Sequence, residues 1–172
     1  MLEPMRFAYA DPPYYGCGRR YYSHHPEAAA WDDQATHLAL VERLVDEFAD
    51  GWALSCNTRD LRWLLPACPE DARIGSWVKP FGSGYKPGIR VSYTWEPVIW
   101  RGGRKKHEAG EPITRDTLTS NATRQLGLVG AKPAAFNRWV LDLLGYQDGD
   151  ELVDLFPGTG GMAAAANQGR LL

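Results

Sequence analysis

The stretch ELVDLFPGTGGMAAAANQ (residues 151–168) constrains the fold of this chain more than any other. An apolar run of strand length ends in a proline and a cluster of glycines, and the chain then enters an alanine-rich segment. Such a segment predicts a strand (151–156), a glycine turn (157–161) and the start of a helix (162–168). Glycine permits backbone conformations closed to other residues and lets a ligand come close to the main chain. A helix opening directly after the turn leaves unsatisfied N–H groups aimed at that ligand. The turn by itself does not demand one, since a tight strand–helix connection uses glycines as well. The spacing is not GxGxxG and no Gly-rich lysine motif is present, which argues against nicotinamide and nucleoside triphosphate sites.

The rest of the chain alternates in the same way. RFAYA (6–10) reads as a buried strand that two prolines stop, placing Asp11 at its carboxyl end. Residues 14–33 lack periodicity and read as a loop over a site. From Gln34 to Ala49, Leu38, Val41, Leu44, Val45 and Phe48 fall at helical spacing, with Asp32 and Asp33 placed to cap. GWALSCN (51–57) is a strand, 58–67 a helix stopped near Pro66, and RIGSWVK (73–79) another strand. PFGSGYKPGIR (80–90) is a loop. VSYTWEPVIW (91–100) is a strand whose Pro97 suggests a position near a sheet edge. RGGRKKHEAGEP (101–112) is a basic flexible connection, and a short helix is expected around 115–120. Phe136 to Leu144 is a helix with Pro133 suited to its first turn. The pattern predicts one α/β domain with a mostly parallel sheet of about five strands.

At 172 residues the chain suits a single domain, and 44% hydrophobic with 23% charged residues is ordinary for a globular one. A formal net charge of -2 means that the molecule as a whole is not an electrostatic binder of nucleic acid; any phosphate contact must come from local basic clusters. Cys17, Cys56 and Cys68 form no CxxC pair, and with the neighbouring His24 and His25 they give no metal-ligand spacing, so no metal is expected. Free thiols, no basic region followed by an apolar stretch at the N-terminus, and no apolar run of membrane-spanning length lead to the expectation of a cytoplasmic protein that does not enter a membrane.

Two motifs carry chemistry: the glycine turn, and Asp11-Pro12-Pro13-Tyr14 at the end of the first strand. Open α/β sheets place ligands at the carboxyl ends of their strands, so both are expected on one sheet edge. ADPPYYG together with DLFPGTG resembles the amino-methyltransferases of DNA, with their catalytic signature (D/N/S)PP(Y/F) and cofactor loop FxGxG. The order, catalytic motif first, is that of the permuted class with the cofactor strand near the C-terminus. GAKPAAFNRWVLDLLG (130–145) resembles the helix preceding the cofactor strand in that class. GWALSCNTRDLRWLL, WVKPF and WEPVIWRGG are similar to short phage or actinobacterial members. The resemblance covers nearly the whole chain. It implies a reduced Rossmann-like methyltransferase fold, with residues 1–100 as catalytic part, 101–129 as a flexible loop in place of a target-recognition region, and 130–172 as cofactor part.

The resemblance further implies S-adenosylmethionine as cofactor and direct transfer of its methyl to an exocyclic amine of a flipped-out base. An exocyclic amine is a poor nucleophile because its lone pair is delocalised. The Asp11 carboxylate and the Pro12 carbonyl can both accept its hydrogens, favouring a pyramidal nitrogen, and these bonds strengthen as positive charge develops. Tyr14 would stack on the base. Asp at the first position favours adenine N6 over cytosine N4 as a family tendency. Asp154, Phe156, Pro157, Gly158, Thr159 and Gly160 would form the cofactor loop together with Asp11, and Lys132 and Pro133 would contact the methionine end of the cofactor. Tyr15, Lys86, Arg90, Arg101, Arg104, Lys105 and Lys106 are the candidate nucleic-acid contacts, with solvated loop charges as the competing reading.

Family members continue into a further strand whose acidic residue holds the cofactor ribose. The sequence shows no such strand after the glycine turn, so either weak cofactor affinity or a ribose held by another segment or a second subunit is expected. Residues 101–129 are too short for an independent reading domain, so either low sequence specificity or target recognition supplied by a homodimer or a partner subunit is expected. RNA or cytosine N4 as substrate, a small-molecule methyltransferase, and a non-catalytic nucleic-acid-binding module stand as alternatives.

Overall fold

The computed structural model describes residues 3–81, 88, 90–105, 113–122 and 131–168. Its centre is a six-stranded sheet: β1 (Arg6–Ala10), β2 (Gly51–Ser55), β3 (Arg73–Val78), β4 (Trp95–Gly102), β5 (Thr117–Thr119) and β6 (Glu151–Asp154), in the spatial order β5-β3-β4-β2-β1-β6. β1 pairs in parallel with β2 and β6, and β3 with β5, while β4 runs antiparallel to both β2 and β3. Five helices accompany the sheet among the described residues: α1 (Gly18–Tyr22), α2 (Gln34–Glu47), α3 (Leu61–Leu64), α4 (Ala134–Leu144) and α5 (Gly161–Gln168).

The period-two alternation of the strands divides the core into two layers. Phe7, Tyr9, Ala53, Val98 and Trp100 face α4 and α5, where they meet Phe136, Trp139, Val140, Leu144 and Met162. Ala8, Ala10, Trp52, Leu54 and Ile99 face the other way, against Leu40, Val41, Leu44 and Phe48. Removing a Phe136-sized side chain from water contributes roughly 1.5–3 kcal/mol. Helices on both faces explain why the central strands read as continuous apolar runs.

Helix ends follow local chemistry. Asp33 caps α2 by accepting the Ala35 N–H, at 3.0 Å. Asp32 instead reaches back across the loop and accepts the Gly18 and Arg19 N–H groups at the start of α1, doing from a distance what a capping side chain does locally. α4 ends at Gly145 in the left-handed region (φ 63), with Gly145 N–H bonded to Asp142 and Tyr146 N–H to Leu141, a Schellman ending. Pro133 sits just before α4, and its carbonyl accepts the Phe136 and Asn137 N–H groups.

Three finer expectations are corrected. The mostly parallel sheet is as expected, and it has six strands where about five were read. The extra one, β5, occupies the segment read as a short helix around 115–120; Thr117–Leu118–Thr119 pairs with Ser76–Val78, and flanking bonds from Ser76 N–H to Asp116 and from Ser120 N–H to Val78 close the ladder. Pairing with an otherwise open strand outweighs weak local helix preference. β4 is interior rather than near an edge. Pro97 is tolerated because it lies beyond the last β2 register pair, Ser55 with Val98, and its carbonyl still accepts the Cys56 N–H. Finally, the loop read over 14–33 contains α1 and a 3-10 turn at Ala28–Asp32.

Candidate active site

β1, β2, β3 and β6 all end on one edge of the sheet, and antiparallel β4 begins there. That edge therefore gathers residues from distant parts of the chain: Asp11 after β1, Lys79 after β3, Glu96 at the start of β4, and Asp154 at the end of β6. Below them opens a cleft of about 530 Å³. One wall is the glycine turn with Asp154, Phe156, Pro157, Gly158 and Thr159; the other is the α1 segment with Tyr22, His24, His25, Glu27 and Trp31. Asp11, Pro13, Tyr9 and Lys132 close the end of the cleft.

The turn itself is shaped by backbone demands. Gly158 (φ 46) and Gly160 (φ 75) adopt left-handed conformations that side chains resist. Asp154 Oδ1 accepts the Phe156 N–H at 3.1 Å, fixing the exit from β6. The Phe156 ring stands edge-on to Trp31 at 5.0 Å between centroids, which joins the turn to the opposite wall. Gly161 opens α5 so close to α4 that an added Cβ would lie 2.7 Å from Asn137 Nδ2.

At the closed end lies a chain of charges. Lys132 Nζ donates to Asp11 Oδ1 and Oδ2 at 2.9 and 2.8 Å and to the Tyr14 hydroxyl at 3.3 Å. The Tyr14 hydroxyl donates in turn to Glu96 Oε2 at 2.8 Å. Lys132 Nζ is also 3.8 Å from Glu96, and Lys79 forms an ion pair with the other Glu96 oxygen. The Lys132 side chain is only 9% exposed, so its ammonium depends on these partners rather than on water. Burial pushes Asp11 above the ordinary carboxylate range against the pull of Lys132. Burial alone would lower Lys132, but the Asp11 and Glu96 charges hold it above the usual lysine value. Glu96 resists burial because Lys132 and Lys79 flank it, and it stays below the usual range.

The predicted residues separate into groups. Asp11, Pro13, Lys132, Asp154, Phe156, Pro157, Gly158 and Thr159 line the cleft; Gly160 shapes the turn, and Pro133 precedes α4 outside the lining. Pro12 and Tyr14 instead border a small cavity with His37, Leu54 and Asp60. Tyr15 is partly exposed and stands edge-on to Trp63 at 5.8 Å. Arg90 is exposed in the connection leading to β4, on the cleft edge. Lys86 and Lys106 lie outside the described residues.

Arg101, Arg104 and Lys105, candidate nucleic-acid contacts in the sequence, lie away from the Asp11 motif. Because β4 is antiparallel, its carboxyl end carries them to the opposite sheet edge, where Gly102 pairs with Gly51 at the start of β2. Arg101 pairs with Asp71 at 2.8 Å. Arg104 is consumed in a buried ion pair with Asp150 at 2.7 Å, the side chains 9% and 1% exposed.

Glu96 and Lys79 escaped the sequence reading. Nothing in WEPVIW or RIGSWVK points to Asp11; only the antiparallel placement of β4 between β3 and β2 could have brought them into view. Tyr22, Glu27 and Trp31 were hidden for a related reason, since the segment carrying them has no periodicity.

No protein-family model matches the sequence, and no curated protein matches it either. Solved structures do resemble it. M1.HpyAVI in complex with SAM superposes with a TM-score of 0.64 at 14% identity, covering 96% of this chain and 78% of that one. M1.HpyAVI in a second crystal structure gives 0.60 at 15% identity, covering 96% and 77%. TTHA0409 of Thermus thermophilus, provisionally assigned as a DNA modification methylase, gives 0.53 at 14% identity, covering 97% and 79%. At such identities the likeness is one of architecture: this chain has the α/β fold that those proteins share.

Proposed function

We propose that this chain is an S-adenosylmethionine-dependent methyltransferase acting on the exocyclic amino group of a base in DNA, adenine N6 by the family tendency of its leading Asp. The carrying observation is that Asp11 and the Gly158 turn, near opposite ends of the chain, line one cleft of about 530 Å³. That size lies within the range of about 300–1,000 Å³ typical of cofactor sites. The fold shared with M1.HpyAVI, solved as a SAM complex, supports the reading.

The residues present fit the cofactor. The glycine turn provides backbone that a ligand can approach closely, and Phe156 and Trp31 offer aromatic surface beside it. When bound, S-adenosylmethionine supplies a methyl group on a sulfonium. Asp11, Phe156, Pro157, Gly158 and Thr159 would hold it, with Asp154 bracing the turn. Asp11 would accept a hydrogen of the target amine, and the Pro12 carbonyl the other. A carboxylate raised by burial is a stronger acceptor than one in water, and the acceptor geometry is set before the reaction begins. Tyr14 and Tyr15 would contact the flipped base, and Arg90 with Lys86 a phosphate of the strand. Residues 1–100 would act as catalytic part and 130–172 as cofactor part of one unit.

Transfer of labelled methyl from S-adenosylmethionine to DNA by wild type and by Asp11→Ala, followed by nucleoside mass analysis, tests the reading. N6-methyladenine from wild type only is expected. Equal transfer by both proteins sinks the role of Asp11, methylcytosine corrects the base, and transfer to RNA alone corrects the substrate.

A further inference from the structure

We propose that Glu96 is a positioning residue of the methyl-transfer site: from β4 it anchors the Tyr14 hydroxyl and shares Lys132 with Asp11, so that Lys132 holds the Asp11 carboxylate less tightly and leaves it open to the target amine. The inference rests on the preceding assignment of Asp11 as acceptor for that amine.

Lys132 engages both Asp11 oxygens, at 2.9 and 2.8 Å. A lysine held that symmetrically, with no second anion, would cancel the negative charge that the reacting nitrogen needs. Glu96 supplies the second anion, 3.8 Å from the same ammonium. The four groups then alternate in sign: Asp11 negative, Lys132 positive, Glu96 negative, Lys79 positive. Without Glu96 both ammonium groups would act on Asp11 with no anion between them. The carboxylate would then be a weaker partner for a cationic sulfonium and for positive charge growing on the amine, in surroundings where charges are poorly screened.

Geometry assigns Glu96 a second task. The Lys132 ammonium donates to Tyr14 and Tyr14 donates to Glu96, so the hydroxyl is fixed from both sides. Lys132 also lies over the Tyr14 ring, 5.4 Å from its centroid. Orientation of a catalytic loop to within fractions of an ångström governs whether a bound substrate is reactive. Glu96 reaches the loop from an interior strand, with β2 between it and β1, which makes it a rigid support.

The groups that bear on Asp11 come from every side. Lys132 arrives from the segment before α4, Glu96 from β4, Tyr14 from its own loop, Tyr9 from β1, Tyr22 from α1 and Asp154 from β6. Lys79 acts through Glu96. Of these, Lys132 pulls the Asp11 carboxyl down and Glu96 pushes it up.

The test uses the full chain with Glu96→Gln, Glu96→Asp and Lys79→Gln. Titration of the Asp11 carboxyl carbon is followed by NMR, with Asp11→Asn identifying the signal, beside the pH dependence of kcat for methyl transfer to DNA. Glu96→Gln keeps an acceptor for Tyr14 but removes the charge. It is expected to move the Asp11 midpoint to lower pH and to reduce kcat at least about tenfold, with a smaller change in cofactor KM. Glu96→Asp is expected to restore most of both. Lys79→Gln, at the far end of the chain of charges, is expected to move the midpoint the other way and serves if Glu96→Gln does not fold. An Asp11 midpoint unmoved by either variant, or an unchanged kcat in Glu96→Gln, overturns the proposal. Absence of methyl transfer by wild type overturns instead the assignment on which it rests, and the titration still shows separately whether Glu96 and Asp11 are coupled.

Discussion

Lys132 and Asp11, 121 residues apart in the chain, are joined by hydrogen bonds from one ammonium to both carboxylate oxygens, at 2.9 and 2.8 Å. Under the proposed function, the pair sets the pH range in which Asp11 would accept the target amine. Burial raises Asp11, and Lys132 is the main group opposing that rise. A raised carboxyl is protonated over a wider acidic range, so activity needing the carboxylate falls away as pH drops through the raised value. Lys132→Met removes the opposition. The acid limb of kcat against pH is expected to move upward, opposite in direction to Glu96→Gln; a limb that stays in place would show that Lys132 does not govern Asp11.

Arg104 predicts stability rather than binding. Its guanidinium is paired with Asp150, whose other contacts are the Met5 and Gln147 N–H groups at 2.9 and 2.8 Å. Arg104→Ala leaves a carboxylate buried without its cation, which costs about 3–5 kcal/mol. Urea unfolding should register that loss. A stability unchanged from wild type would mean that the clamp is not formed.

Gly18 is the point where α1 packs on the 3-10 turn at Ala28–Asp32. A Cβ there would press far inside contact distance of the Ala28 carbonyl oxygen, which is backbone and cannot rotate away. Gly18→Ala is therefore expected to displace the wall carrying Tyr22, Glu27 and Trp31, costing about 1–3 kcal/mol in stability. Cofactor affinity measured by calorimetry should fall with it. Gly88→Ala, with open space around it, is strained only in its own backbone and should leave affinity unchanged.

Arg90 and Arg101 distinguish the two sheet edges. If DNA lies across the cleft edge, Arg90→Ala is expected to weaken DNA binding and reduce the slope of log K against log salt by about 0.9, the contribution of one phosphate contact. Arg101→Ala, on the opposite edge and already paired with Asp71, is expected to leave the slope unchanged. The reverse pattern would place DNA on the other side of the sheet.

The alternation of strands and helices was legible because each central strand is buried on both faces and reads as an apolar run. Leu40, Val41 and Leu44 follow the helical period of α2 closely, although Leu38, expected among them, is only half-buried and His37 takes an inward place. β5 was not legible. Three residues have too little pattern to outweigh their context, and their conformation comes from the edge of β3. Pro97 misled for a specific reason: a proline excludes a ladder bond only where its nitrogen faces a paired strand, and here β2 has already ended.

Local chemistry determined the two motifs. A double proline must stop β1 and leave Asp11 at its end, and a glycine turn must follow β6, whatever the rest of the chain does. What only the tertiary structure decided is the company those motifs keep. Parallel pairing of β1 with β6 puts Asp11 and Gly158 on one cleft, and the reversed direction of β4 sends Glu96 to that edge and Arg104 to the other. Strand direction is set by pairing across the sheet, a long-range property that no window of sequence contains, and the charge balance around Asp11 follows from it.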